Sequence, residues 1–253
     1  MVGMTTTLAL GTVAIVFAAA TLRGLTGFGF ALAAVPMLGL LMPPAQAVPV
    51  SMCIVAVGGV VGARQAMTAC HWPSIRRIGV AAVVGTPAGV LLLKHIPAEA
   101  ARIAIALFTL AAVLGIARAG EGAKPFGAAR AIVYGLVAGV FNGLAAMSGP
   151  PIVAYFMSSA LSREAIRASM LVIFQIVVFT GLASALALGL VTHDTVMLAG
   201  LSLPAFWIGN WVGARLFAMG SEQGYRRIAI ACLVAMALAS AAPAVSSLLH
   251  ASR

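Results

Sequence analysis

Apolar residues run in blocks of about 15 to 25 positions with helical spacing and no period-two alternation, separated by short polar connections. This predicts membrane-spanning helices and excludes a β-barrel. Six blocks are of ordinary length: about Gln46 to Arg64, Ile75 to Leu93, Ala98 to Ala117, Ala165 to Leu190, Thr195 to Phe217 and Tyr225 to Leu248. The block from Leu8 to Met42, about 35 residues, would be roughly 50 Å long as one helix, against a hydrocarbon core of roughly 30 Å. It must break, and Gly24, Gly27 and Gly29 supply the freedom to do so in the middle of the block. Ala131 to Leu161 carries Ser148-Gly149-Pro150-Pro151, where two prolines cannot continue the preceding helix. A break at membrane depth survives only where protein or a polar cavity satisfies the freed N–H and C=O groups.

The two broken blocks correspond. Arg23-Gly24-Leu25 aligns with Asn142-Gly143-Leu144 and, after a one-residue gap, Gly29 with Gly149. Further on, Ala47, Ser51 and Met52 align with Ala165, Ser169 and Met170, Gly85 and Gly89 with Gly209 and Gly213, and Arg102 to Ile105 with Arg227 to Ile230. A unit of roughly 120 residues, repeated in an apolar chain, is the mark of a secondary transporter built by duplication. The expected organisation is residues 1–120 as one transmembrane repeat and 121–253 as the other, each a broken hairpin plus three spanning helices.

Composition narrows the class. The 253 residues are 62% hydrophobic and 8% charged, far from the roughly 25% charged residues of a soluble domain. The net charge of +10 does not indicate nucleic acid, because the basic residues stand singly or in pairs between apolar blocks and read as topology signals. If each broken block crosses once, the basic residues divide almost evenly between the two sides. If each enters and returns, one side collects eleven, from Arg64 to Arg227, and the other only Lys94, Arg102 and Arg253. The positive-inside rule selects the second arrangement, with inverted repeats and both termini outside. Whether the returning blocks are re-entrant or two short spans stays open. Cys53, Cys70 and Cys232 are too far apart for a metal motif, so free thiols and no bound metal or cofactor are expected.

Arg23 carries the chemistry. It is the only basic residue deep within an apolar block, and none of the five acidic residues falls within a span to neutralise it. It either snorkels or binds backbone carbonyls at the break or, as the sharper reading has it, forms an anion site to which helix N-termini beyond Gly29 and Gly149 add partial positive charge. Thr26, Gly27, Asn142, Ser148 and the mid-span Gln175 complete the candidate substrate-binding set, although a polar residue in a bundle, Gln175 in particular, can equally serve as interhelical glue. The small-residue series Gly135, Gly139, Gly143 and the pairs Gly58/Gly62, Gly85/Gly89 and Gly209/Gly213 read as helix packing. An enzyme is not expected: there is no His-Glu-x-x-His, the histidines lie near block ends, and Ser148 has no base within a span.

Gly24-x-x-Gly27-x-Gly29 followed by Val35-Pro36, Ser148-Gly149-Pro150-Pro151 with Tyr155, and Gly209-x-x-x-Gly213-x-Arg215-Leu216 resemble the sulfite exporter TauE/SafE family, also called the toluene-sulfonate uptake permeases, over nearly the whole chain. The resemblance implies transport of sulfite, organosulfonates or related small sulfur-containing or organic anions across the cell's inner (cytoplasmic) membrane. The expected partners are thus a small anionic substrate and membrane lipid, with room for a homodimer and no role for nucleic acid. An anion channel and a non-transporting membrane scaffold are the rival readings.

Overall fold

The computed structural model describes residues 6–26, 29–118, 128–157, 159 and 161–219. The block expected over Tyr225 to Leu248 lies outside the described residues. Ten helices and no strand occur among the described residues: α1 (Thr6–Thr26), α2 (Phe30–Leu41), α3 (Pro44–Gly58), α4 (Val60–Ala66), α5 (Trp72–His95), α6 (Ala98–Arg118), α7 (Ala128–Ala145), α8 (Gly149–Met157), α9 (Arg163–Ala187) and α10 (His193–Met219). Four of them, over 6–25, 72–95, 164–187 and 193–216, are long and apolar enough to cross a membrane. The chain is an all-α, multi-pass membrane protein.

Both long blocks break where predicted. The first is helical through Thr26 and resumes at Phe30, with Gly29 at φ +94°. That left-handed conformation has almost no steric cost for a residue without a Cβ. Gly24 takes no part in the break: it lies inside α1, where a Cβ would meet the Asn210 carbonyl and approach the Ala214 nitrogen of α10. The second break falls between Ala145 and Gly149, and Pro150 and Pro151 occupy the first turn of α8, where a missing N–H breaks no helical bond. Here a non-glycine, Ala146, takes the positive φ of 56°. After its break the first segment doubles back, since a Cβ on Gly11 of α1 would lie 2.9 Å from Leu41 Cδ1 at the end of α2. With 12 residues α2 is about 18 Å long, too short to cross.

The block from Gln46 to Arg64, expected as one helix, is divided at Gly59 into α3 and α4. The Gly58-Gly59 pair explains the division, both as a weak point in the helix and because larger neighbours occupy the space a side chain would need. A Cβ at Gly58 would strike the Phe206 ring, and one at Gly59 the Gln175 side chain. Gly62 faces open space and packs nothing, contrary to its pairing with Gly58.

Two helix pairs dominate the packing, α5 along α7 and α1 along α10. In each, glycines let backbones touch. A Cβ on Gly85 would meet the Leu136 carbonyl, and one on Gly89 the Val140 carbonyl. In the other pair, Gly209 and Gly213 stand in the same way against the carbonyls of Phe17 and Thr21. The order of these contacts makes both pairs parallel. One buried cluster joins α1, α2, α3 and α10 through Val16, Leu38, Met52 and Phe206 and takes in Leu93 near the end of α5, and the other joins α5, α7, α8 and α9 through Ile78, Ile152, Phe156 and Ile173.

The start of α5 and both ends of α9 are satisfied locally. His71 Nδ1 accepts from the Ser74 N–H to cap α5, Ser162 Oγ caps α9 through the Ala165 N–H, and Leu190 N–H and Gly189 N–H return to Ala185 and Leu186 carbonyls at the end of α9. Arg102 Nε donates to the Gly39 carbonyl at 3.3 Å. That carbonyl has no helical partner because residue 43 is proline. Cys53 and Cys70 are free thiols, and Cys232 lies outside the described residues.

Candidate functional site

The two breaks come together. A cavity of about 60 Å³ is lined by Gly29, Phe30, Ala31 and Leu32 from the first, by Ala146, Met147, Ser148 and Gly149 from the second, and by Arg23, Ser51 and Gln175. Met52, Val55, Leu171, Phe174 and Val178 complete an apolar wall, and among the described residues no carboxylate lines it.

Arg23 sits in the last turn of α1, and its Nη1 is buried with no hydrogen-bond partner among the described residues. Its position is set by aromatic and small neighbours rather than by an acid. The guanidinium carbon lies 5.1 Å from the centroid of the Phe206 ring, which in turn meets Phe30 edge-on at 5.2 Å. A Cβ at Gly59 would come within 3.3 Å of Arg23 Nη2, so glycine at the α3–α4 junction leaves the guanidinium room there. A buried cation with a free N–H edge facing a cavity calls for an anion or an oriented acceptor.

Other donors converge on the same space. The α2 N-terminus has no side-chain cap, so the first-turn N–H groups of Phe30, Ala31 and Leu32 are unclaimed by a capping side chain at the cavity wall. The α8 N-terminus is poorer in donors because positions 150 and 151 are proline, and Ser148, 95% buried, stands beside it. Ser51 Oγ is fully buried and without a partner among the described residues. Its counterpart Ser169 is engaged, accepting from the His71 N–H at 2.8 Å. Gln175 Nε2 donates to the Ala56 carbonyl at 2.8 Å, tying α9 to α3, while the residue still lines the cavity.

Of the residues singled out from the sequence, Arg23, Gly29, Ser148, Gly149 and Gln175 line this cavity. Asn142 does not. It is fully buried in α7, its Nδ2 donates to the Val177 carbonyl at 3.0 Å, and its Oδ1 has no partner among the described residues. Gly27 and the Thr26 side chain lie outside the described residues. Sequence reasoning passed over Ser51 and Phe206. The first carried a signal, its alignment with Ser169, and the second carried none, since its approach to Arg23 depends on how α10 packs on α1.

A multi-pass helical protein with two broken segments meeting at a cationic cavity is of the transporter type. The chain belongs to the sulfite exporter TauE/SafE family, whose model matches residues 12–240. No curated protein and no solved structure matches it.

Proposed function

We propose that the protein is a secondary transporter of a small sulfur-containing oxyanion, sulfite or a close relative, working by alternating access across the cytoplasmic membrane. The observation that carries this reading is Arg23: a buried guanidinium nitrogen with no partner among the described residues, facing a cavity between two broken segments in which none of those residues is a carboxylate. A planar fork of donors suits two oxygens of one anion.

In this reading residues 1–120 and 121–253 form inverted repeats. The support is the paired glycine contacts, in which Gly85 and Gly89 meet α7 where Gly209 and Gly213 meet the corresponding turns of α1. The hairpins α1–α2 and α7–α8 would enter from opposite faces and return, with α5 and α10 exchanged between the halves. Arg23, Ser51, Ser148, Gln175 and the break residues Thr26, Gly27, Gly29 and Gly149 form the proposed substrate-binding set. Asn142 lies outside the cavity lining and its Nδ2 donates to the Val177 carbonyl, so its proposed part is to brace the second break.

With no carboxylate at the cavity, export needs no carboxylate-based ion relay. The inside-negative potential supplies about 2.3 kcal/mol per charge per 100 mV to an anion leaving the cell. In proteoliposomes, sulfite efflux should saturate, follow an imposed potential at fixed pH and show counter-transport. Flux without saturation or counter-transport would make the protein a channel. No flux from purified protein would favour a scaffold, and strict dependence on a proton or sodium gradient with no voltage response would overturn the coupling.

A further inference from the structure

On the outer surface, away from the cavity, α5 and α7 enclose a second concavity. It holds about 420 Å³ and is lined by Arg77, Val80, Ala81, Val84, Ile132 and Leu136. Val80, Val84 and Ile132 are each more than half exposed, so this face would turn to the hydrocarbon. Arg77 is exposed at one end, one and a half turns inside α5 from Trp72, whose ring is also exposed. Tryptophan at a helix end marks the headgroup level, and an arginine about 8 Å deeper reaches back to it along its aliphatic stem. Arg77 has no hydrogen-bond or ion-pair partner among the described residues.

The other half offers a comparison. By the glycine register, α10 and α1 present Leu201 where α5 has Arg77, Ile208 for Val84 and Phe17 for Leu136. The equivalent face therefore has no cation, and bulkier side chains stand at two of the positions that shape the groove. An apolar channel ending in an unpaired cation at headgroup depth, present once and not twice, matches a ligand with a hydrocarbon tail and an anionic head.

The geometry points to a binding site for one anionic phospholipid in the α5–α7 groove, an acyl chain lying along Val80, Val84, Ile132 and Leu136 and the phosphate on Arg77. Basic pockets between spanning helices hold anionic headgroups in this way, at about 1 kcal/mol per basic residue near the surface. The site stands apart from the Arg23 cavity and does not depend on the transport reading.

The test uses the purified full chain in detergent, titrated with dioleoylphosphatidylglycerol or dioleoylphosphatidylcholine, with melting temperature and native mass spectrometry as readouts. Phosphatidylglycerol should raise the melting temperature more than phosphatidylcholine and remain bound as one discrete adduct. Arg77→Gln should weaken phosphatidylglycerol binding about fivefold and leave phosphatidylcholine unchanged. Leu136→Phe, which imports the other half's side chain, should weaken both lipids. Both positions are exposed, so both variants should fold. Equal response to the two lipids, an undiminished phosphatidylglycerol adduct in Arg77→Gln, or a full stabilising effect from inorganic phosphate alone would each overturn the proposal.

Discussion

Arg23 and Phe206 lie 183 positions apart in sequence, yet the guanidinium of one lies over the ring of the other, 5.1 Å from its centroid. The contact exists because α1 and α10 touch backbone to backbone through Gly24, Gly209 and Gly213. A cation over an aromatic face gains about 0.5 to 1 kcal/mol when exposed and about 2 when desolvated. The ring therefore steadies the charge without neutralising it and leaves Nη1 free.

Substitutions at this pair should separate charge from positioning. Arg23→Gln should nearly abolish anion binding, and Arg23→Lys should keep the charge, lose the fork and bind more weakly than wild type. Phe206→Leu should reduce affinity between about twofold and thirtyfold. The measurement is ligand-induced thermal stabilisation by sulfite of monodisperse, folded protein, because misfolding alone would also stop transport. Unchanged affinity in folded Arg23→Gln would assign the arginine to the helix end and move the site elsewhere.

Ser51 and Ser169 occupy matching positions in the two halves but have different partners. Ser51→Ala should lower sulfite affinity by about 0.5 to 1.5 kcal/mol, the net worth of one hydrogen bond, and leave the melting temperature unchanged or higher. Ser169→Ala removes the acceptor of the His71 N–H, so it should lower the melting temperature with little effect on affinity. Reversal of that pattern would place the hydroxyls in the opposite roles.

Glycine positions predict a sharp contrast in stability. Gly213→Ala puts a methyl group against the Thr21 carbonyl and 2.8 Å from the Leu25 nitrogen, so the helices must part. The expected loss is about 1 to 3 kcal/mol, the usual cost of overpacking. Gly200→Ala, in the same helix with nothing within 4 Å, should be neutral or gain about 0.5 to 1 kcal/mol. Denaturation midpoints in one detergent decide it, and equal midpoints would show that α1 and α10 do not pack as described.

The proposed orientation can be read chemically. Single cysteines at Gln65, in α4, and His193, at the start of α10, in a chain otherwise free of cysteine, should react with a membrane-impermeant maleimide from opposite sides. Gln65 should label only after the inner face is opened, following the concentration of positive charge on that side. Labelling of both from one side would contradict the inverted arrangement.

The sequence alone determined the helical class, the membrane environment, both breaks and the arginine beside the first. These follow from local quantities: the length of an apolar block against bilayer thickness, two consecutive prolines, and the cost of a lone charge in hydrocarbon. It also marked the glycine pairs at Gly85/Gly89 and Gly209/Gly213 as packing positions, since a close helix approach needs small residues at that spacing. Only the tertiary structure decided what those glycines touch. It carried α5 to α7 and α10 to α1, and so brought Phe206 under Arg23, left Ser51 unpartnered in the cavity and turned Asn142 toward the Val177 carbonyl instead. The physical reason is that every apolar block in such a chain is an acceptable neighbour for every other. Apolar content alone gives no preference among helix pairings, and the choice rests on the fit of one backbone against another, which exists only once the helices are side by side.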